Sequence, residues 1–419
     1  MAEKYGIQAV IKPSISERPV SIGTELVFIG CAATASKVYE PVKLTSFKDY
    51  KDTYGEVTTP TLSLEKSAQY AFDICGVDHA WFINCSSSST STDKGFSAAN
   101  IKAGVDSIDE IYSNHGIVPN LIVLPMNSMH ETPSTIAAYA ATKCLKINDL
   151  FKAQLVIDNS IADSDLTEIV KSSTSTGTYK NKLSIDKDCA DGNVIACLGD
   201  GVIGRDEYTT QTVPCSVILA CTRASQDALN TGDVPSRSAG NLKTKGVIGY
   251  QVDVINGQQI EHRPIVNTDT INNTLAAAGY ALLVNKGQNI YHIWGDHTAA
   301  VHGDGEVDDE LYRFDSNVAM AYHIANRAIL KWKDDVDSTM NLNLRNLIIM
   351  EEQSYLDYLV SIGALIGEPK CEFRSEDNTS DTLGLGQFYF TNVYTNSIPA
   401  KYLQFNLVWT AEGLNALLG

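Results

Sequence analysis

The chain has 419 residues, 44% hydrophobic and 20% charged, with a formal net charge of −18 from 50 acidic and 32 basic side chains. Its length suits about two or three domains, and its composition is that of a folded globular protein, not a disordered one. The acidic balance repels phosphate backbones and anionic lipid surfaces, and no run of Lys and Arg offsets it, so no nucleic-acid binding and no direct membrane insertion are expected.

In residues 1–20, Ile7, Ala9 and Ile11 alternate with Gln8, Val10 and Lys12 before Pro13 and Pro19. A short strand pattern bounded by prolines reads as an extended arm. This terminus lacks the apolar core of a signal peptide, and no apolar run reaches the ~18–20 residues of a spanning helix. The chain is therefore expected to be made and folded in the cytoplasm.

Leu26–Cys31 reads as a buried strand, followed by a helix around Phe47, Tyr50 and Tyr54 that Gly55 caps. Leu62, Leu64, Ala68, Ala71, Phe72 and Cys75 fall at helical spacing, and residues 80–84 return as a strand. After a Ser/Thr run from Ser86 to Thr92 come a helix over 98–113, a strand over 120–124, a helix over 133–147 and a strand over 153–157. A strand over 194–198 and a helix from Pro214 to Ser225 continue the alternation. Five-residue apolar runs alternating with helices predict a largely parallel sheet covered on both faces.

Leu275 to Leu283 is apolar, and residues 291–294 form a strand. A long helix runs from Leu311 to Trp332, ended by Asp334 and Asp335, and a second spans about 339–360. The last sixty residues differ. Phe388–Tyr394 has no helical period, and Leu403, Phe405, Leu407 and Trp409 share one face of an extended segment. These features predict a small α+β domain with a terminal strand, so that a strand-like arm stands at each end of the chain.

Motifs for chemistry are sparse. Gly199-Asp-Gly-Val-Ile-Gly204 has the spacing of a dinucleotide loop, but the polar stretch after it opens no helix, so it reads as a strand-to-helix connection. His292, His297 and His302, with Asp296 and Asp304, are out of phase for one helix face and read as packing or solvent residues. Nucleophile-elbow and phosphate-loop patterns are missing, and nine scattered cysteines without Cys-x-x-Cys read as buried thiols.

The order of several segments resembles the contractile tail sheath proteins of myophages and R-type bacteriocins. Those segments are Arg18-Pro19-Val20 before Leu26–Gly30, Pro41-Val42, Thr45–Phe47 with Tyr54-Gly55, Leu121–Pro125, and Val213–Ser216 through Arg223–Asp227. Tyr291–Thr298 resembles the family's Trp-Gly-x-Arg-Thr signature, with His297 where the family usually has Arg. Gly363–Gly367, Cys371–Phe373, Gly384–Tyr394 and Ile398–Leu403 resemble its carboxy-terminal domain.

The resemblance implies an α/β fold: a subtilisin-like three-layer body over 21–335, a small α+β domain over 336–400, and strand-forming arms over 1–20 and 401–419. It implies a structural subunit that polymerises around an inner tube and contracts to drive the tube through a cell envelope. Partners would be further copies, the inner tail tube protein, and baseplate and tail terminator proteins. Assembly would occur in the bacterial cytoplasm and yield a virion or a released phage tail-like particle. No catalytic residue, metal or cofactor is implied. Ile7, Ala9, Ile11, Leu403, Phe405, Leu407 and Trp409 are the expected inter-subunit arm contacts. Glu351, Glu352 and Asp357 are candidates to face the tube, and Ser14–Pro19 and Asn396–Pro399 are the expected hinges. An unusual α/β hydrolase, or a baseplate or other structural protein of the same particle, remain the alternatives.

Overall fold

The computed structural model describes residues 23–57, 62–86, 98–125, 134–159, 192–206, 209–230, 233–251, 271–277, 279–287, 290–301, 307 and 309–412. The amino-terminal arm with Ile7, Ala9 and Ile11, the hinge at Ser14–Pro19, Cys189, His302 and Asp304 lie outside the described residues.

In chain order the elements are β1 (Leu26–Gly30), β2 (Val42–Leu44), α1 (Phe47–Tyr54), α2 (Ser63–Gln69, continued as a π-helix over Tyr70–Cys75) and β3 (Ala80–Asn84). Then follow α3 (Ala98–Asp106), α4 (Asp109–His115), β4 (Leu121–Leu124), α5 (Ser134–Cys144), β5 (Gln154–Asn159) and β6 (Val194–Leu198). Next are β7 (Asp200–Asp206), β8 (Thr209–Pro214), α6 (Cys215–Asp227), β9 (Val247–Gln251), α7 (Ile271–Ala277), β10 (Tyr280–Asn285) and β11 (Tyr291–Trp294). The carboxy-terminal part holds α8 (Asp315–Trp332), α9 (Leu342–Ser361), β12 (Leu365–Glu372), α10 (Ser380–Gly384) and β13 (Thr391–Asn396).

Among the described residues, eight strands form the main sheet in the order β11-β10-β6-β5-β4-β1-β3-β2. Strands β10 to β3 run parallel, while β11 and β2 are antiparallel edges. Strands β1, β3, β4 and β6 are apolar runs buried along their whole length, as a sheet covered on both faces requires. Helix α6 packs across β1, β4, β5, β6 and β10 and is buried from Cys215 to Ala224. Helices α3 and α5 pack on each other and on β1 and β5. The eight described cysteines are all buried.

Local signals explain the element ends. Ser46 Oγ accepts from Asp49 N at the start of α1, and Gly55, at φ +102°, ends that helix as its sequence predicts. The single helix expected over 98–113 is instead α3 and α4. Ser107 Oγ donates back to Gly104 O at 2.8 Å, a side-chain bond that competes with helix continuation.

The larger departure is Gly199–Gly204. It is no strand-to-helix connection: β7 runs through it and pairs antiparallel with β8 and β9 in a three-stranded sheet. A Cβ at Gly201 would collide with Ile218 of α6, so glycine there lets the hairpin lie against the helix. The segment Phe388–Tyr394, read as lacking a helical period, is strand only from Thr391 onward. Ahead of it, Asn378 Nδ2 donates to Tyr389 O and Asn378 Oδ1 accepts from Tyr389 N, both at 2.8 Å, taking the bonds a strand partner would make.

A second apolar cluster joins Met320 and Ile324 of α8 and Val234 to Leu356, Leu359, Ala364, Leu365 and Cys371. Each such large side chain contributes roughly 1.5–3 kcal/mol on burial, so this cluster holds α9 and β12 on α8.

Candidate assembly interface

Helix α9 begins at Asn341, whose Oδ1 accepts from Leu344 N at 3.0 Å. Its buried residues Ile348, Glu352, Leu356 and Leu359 follow the i, i+4, i+8, i+11 rhythm of one face. Glu352 is thus part of the packed stripe, only 3% exposed. Its Oε1 accepts from Arg327 Nη1 at 2.5 Å and Trp332 Nε1 at 2.7 Å, and its Oε2 accepts from Asn392 Nδ2 at 3.3 Å. The Arg327 guanidinium also stacks 4.0 Å from the Tyr355 ring centroid. The expectation that Glu352 faces a partner is therefore corrected: the carboxylate is spent inside the subunit, tying α8, α9 and β13 together.

Glu351 and Asp357 do reach the surface, Glu351 lying 3.8 Å from Lys331 Nζ and Asp357 accepting from Gln353 Nε2 at 2.8 Å. Next to them in the chain the helix exposes Met350 and Tyr358, with Leu342 and Leu347 nearer its start. The outward face of α9 is consequently more apolar than its charges suggested. Gln353 couples the helix to β12 by accepting from Cys371 N and donating to Pro369 O.

Strands β12 and β13 pair antiparallel as a two-stranded sheet, with Ile366 and Val393 exposed. Each strand has an edge without a strand partner among the described residues. The arm that follows forms no strand over Lys401–Thr410, and beyond Lys401 nothing among the described residues covers it. Leu403 is 70% exposed, Phe405 82%, Leu407 93% and Trp409 80%, with Tyr402 and Val408 exposed on the other side. An apolar alternation is thus present without a partner among the described residues, close in sequence to a sheet whose outer edges are likewise unpaired among them.

The remaining charged residues of interest sit in the body. Arg223 is buried between Asp227 (Nε to Oδ2, 3.8 Å) and Asp315 (Nη1 to Oδ2, 3.6 Å). One guanidinium serves two carboxylates. Burial first, then the neighbouring Asp315, pushes Asp227 up to about 7 against the opposing pull of Arg223 and Thr24. His297 packs on the Phe314 ring, and burial followed by the Lys401 charge lowers it to about 4. His323 lies 2.6 Å from Tyr355 OH, and burial followed by the Arg327 charge lowers it to about 4.

These shifts set a pH dependence of folding. Below pH 6.5 the unfolded chain protonates His297 and His323 while the folded chain does not, so stability is lost as pH falls toward 4. Asp227 acts oppositely: the folded form keeps a proton that the unfolded form releases, so its contribution fades as pH rises from about 4 to about 7. Asp315, whose carboxyl burial also pushes up, acts with Asp227. In urea denaturation, His323→Gln should remove about 3 kcal/mol of the loss between pH 6.5 and 4, and Asp227→Asn should steepen that loss. Parallel pH profiles for wild type and His323→Gln would refute the assignment.

No family profile matches the chain, and no curated protein does. Solved structures do. The sheath of PVC, an extracellular contractile injection system, in its contracted state is 12% identical with a TM-score of 0.64, covering 99% of this chain and 99% of that one. The contracted helical sheath of the anti-feeding prophage is 16% identical with a TM-score of 0.60, covering 98% and 99%. A sheath tail protein from Desulfitobacterium hafniense is 10% identical with a TM-score of 0.57, covering 94% and 100%. Over nearly its whole length, the chain has the fold of contractile sheath proteins.

Proposed function

We propose that the chain is the structural subunit of a contractile sheath, whose copies polymerise around an inner tube and contract to drive that tube through a cell envelope. The observation that carries this reading is the full-length likeness to sheath subunits, joined to an exposed apolar arm that follows a sheet with open edges. An arm of this kind adds a strand to a neighbour's sheet: main-chain bonds give adhesion, and alternate side chains give register. Leu403, Phe405, Leu407 and Trp409 would be the buried face of that strand, and Ile7, Ala9 and Ile11 the matching face of the amino-terminal arm.

The proposed division is a subtilisin-like three-layer body over 21–335, a small α+β domain over 336–400, and arms over 1–20 and 401–419. Two separate helix groups on the sheet, α3 with α5 and α6 with the π-helical end of α2, favour the layered body. The reading requires no catalytic residue and no cofactor, because the driving free energy is stored in the assembled lattice. The partners are other copies, an inner tube protein, and baseplate and terminator proteins, first in the bacterial cytoplasm and then in the finished particle. Glu351 and Asp357 are the charges α9 could offer the tube, beside Met350 and Tyr358.

Electron microscopy of the protein expressed alone tests the proposal. Long hollow tubes or rings are expected. A population that stays monomeric at every concentration, with both termini intact, would overturn it.

A further inference from the structure

The expected hinge of the carboxy-terminal arm, Asn396–Pro399, is fastened at its start. Asn396 Nδ2 donates to Asn317 O at 3.2 Å on α8. Ser397 N donates to Ala364 O at 3.3 Å, and Ser397 Oγ to Gly363 O at 2.7 Å. Four residues later the chain is held again. Lys401 Nζ pairs with Asp296 Oδ1 and stands 5.7 Å from the Phe314 ring centroid.

Asp296 is fixed as a receptor for that ammonium group. It is buried, its carbonyl accepts from Asp315 N at 2.9 Å, and Gly240 packs so closely on its Cβ that a side chain there would have to move it. Gly295, at φ +99°, turns the chain out of β11 to present it; a Cβ at that position would collide with Tyr280 O. Asp315 beside it already shares Arg223, so Lys401 brings a cation to a region rich in carboxylates.

We propose that Asp296 and Lys401 form a clip that makes residues 397–401 a fixed strap across the start of α8, so that the arm pivots at Tyr402 and not within the proline segment. Pro399 stiffens the span between the two anchors. The strap adds a further join between the β12–β13 sheet and the body, besides the apolar cluster, the Glu352 bonds and the covalent passage from α8 to α9. It also sets the point and direction from which Leu403 to Trp409 leave the subunit. The use of that exit in strand exchange rests on the sheath reading; the clip does not, and the two are separable by experiment.

The test is limited digestion of the full chain with proteinase K at a concentration where it is monodisperse, with the product ends read by mass spectrometry. Wild type should be trimmed to Lys401 or Tyr402 and stop there. Lys401→Met, a change at a half-exposed position, should be trimmed about ten-fold faster back to Ser397, since local opening controls cleavage. Asp296→Asn should behave like Lys401→Met, and Lys401→Arg like wild type. Trimming to Ser397 in wild type, or an unchanged end point in both Lys401→Met and Asp296→Asn, overturns the proposal whatever the protein assembles into.

Discussion

Phe405→Asp or Trp409→Asp should give a subunit that folds as wild type does and does not polymerise. Both side chains are at least 80% exposed in the isolated chain, so an aspartate there leaves the subunit's own packing untouched. In an added strand the balance is different. Each ladder bond contributes roughly 0.5–1.5 kcal/mol, and ordering each residue costs about 1–2 kcal/mol. Backbone pairing alone about breaks even, so the apolar face decides. Burying Leu403, Phe405, Leu407 and Trp409 contributes roughly 1.5–3 kcal/mol apiece, and a carboxylate in that row costs several times what it replaces. Sedimentation and electron microscopy should show monomers, with urea midpoints matching wild type. Normal tubes from either variant would refute the arm contacts, and a fall in the urea midpoint would show the segment packing within its own chain.

The largest loss of stability is expected at Arg327. Removing it as Arg327→Met leaves Glu352 buried with only Trp332 and Asn392 as donors. Breaking one side of a buried pair costs about 3–5 kcal/mol, whereas replacing both partners with apolar groups of similar size is often neutral. Urea denaturation should therefore show a drop of about that size for Arg327→Met and recovery of most of it in Arg327→Met/Glu352→Leu. A single-variant loss below about 1 kcal/mol would mean that Glu352 is solvated, and its removal from the outward face would have to be reversed.

Much of the fold was legible because the parallel strands are continuous apolar runs. Leu26–Gly30, Ala80–Asn84, Leu121–Leu124 and Val194–Leu198 each announce themselves by composition, and helices must separate them. Strand β7 was hidden because its stability comes from partners at 209–214 and 247–251, while its own glycines imitate a loop. Glu352 was misread by residue type although its phase was plain: spacing from Ile348 to Leu356 and Leu359 puts it on the packed face. The arm's alternation was visible, since it needs no neighbour to be read. The Lys401–Asp296 contact was not, because 105 residues separate the partners and nothing in the pattern of either segment names the other.

The two edges of the β12–β13 sheet, unpaired among the described residues, carry a consequence for size. A subunit that donates its arm to one neighbour and receives an arm from another makes a head-to-tail contact, in which the two joined surfaces differ. Such contacts have no built-in stopping point unless their rotation closes a ring. Every terminal copy at one end of a column then shows a vacant edge, and every copy at the other end an unplaced arm. Tubes grown from the isolated protein should accordingly be broad in length, with a mean that climbs with subunit concentration. A uniform length in a finished particle has to be imposed from outside this chain, by a ruler or a cap.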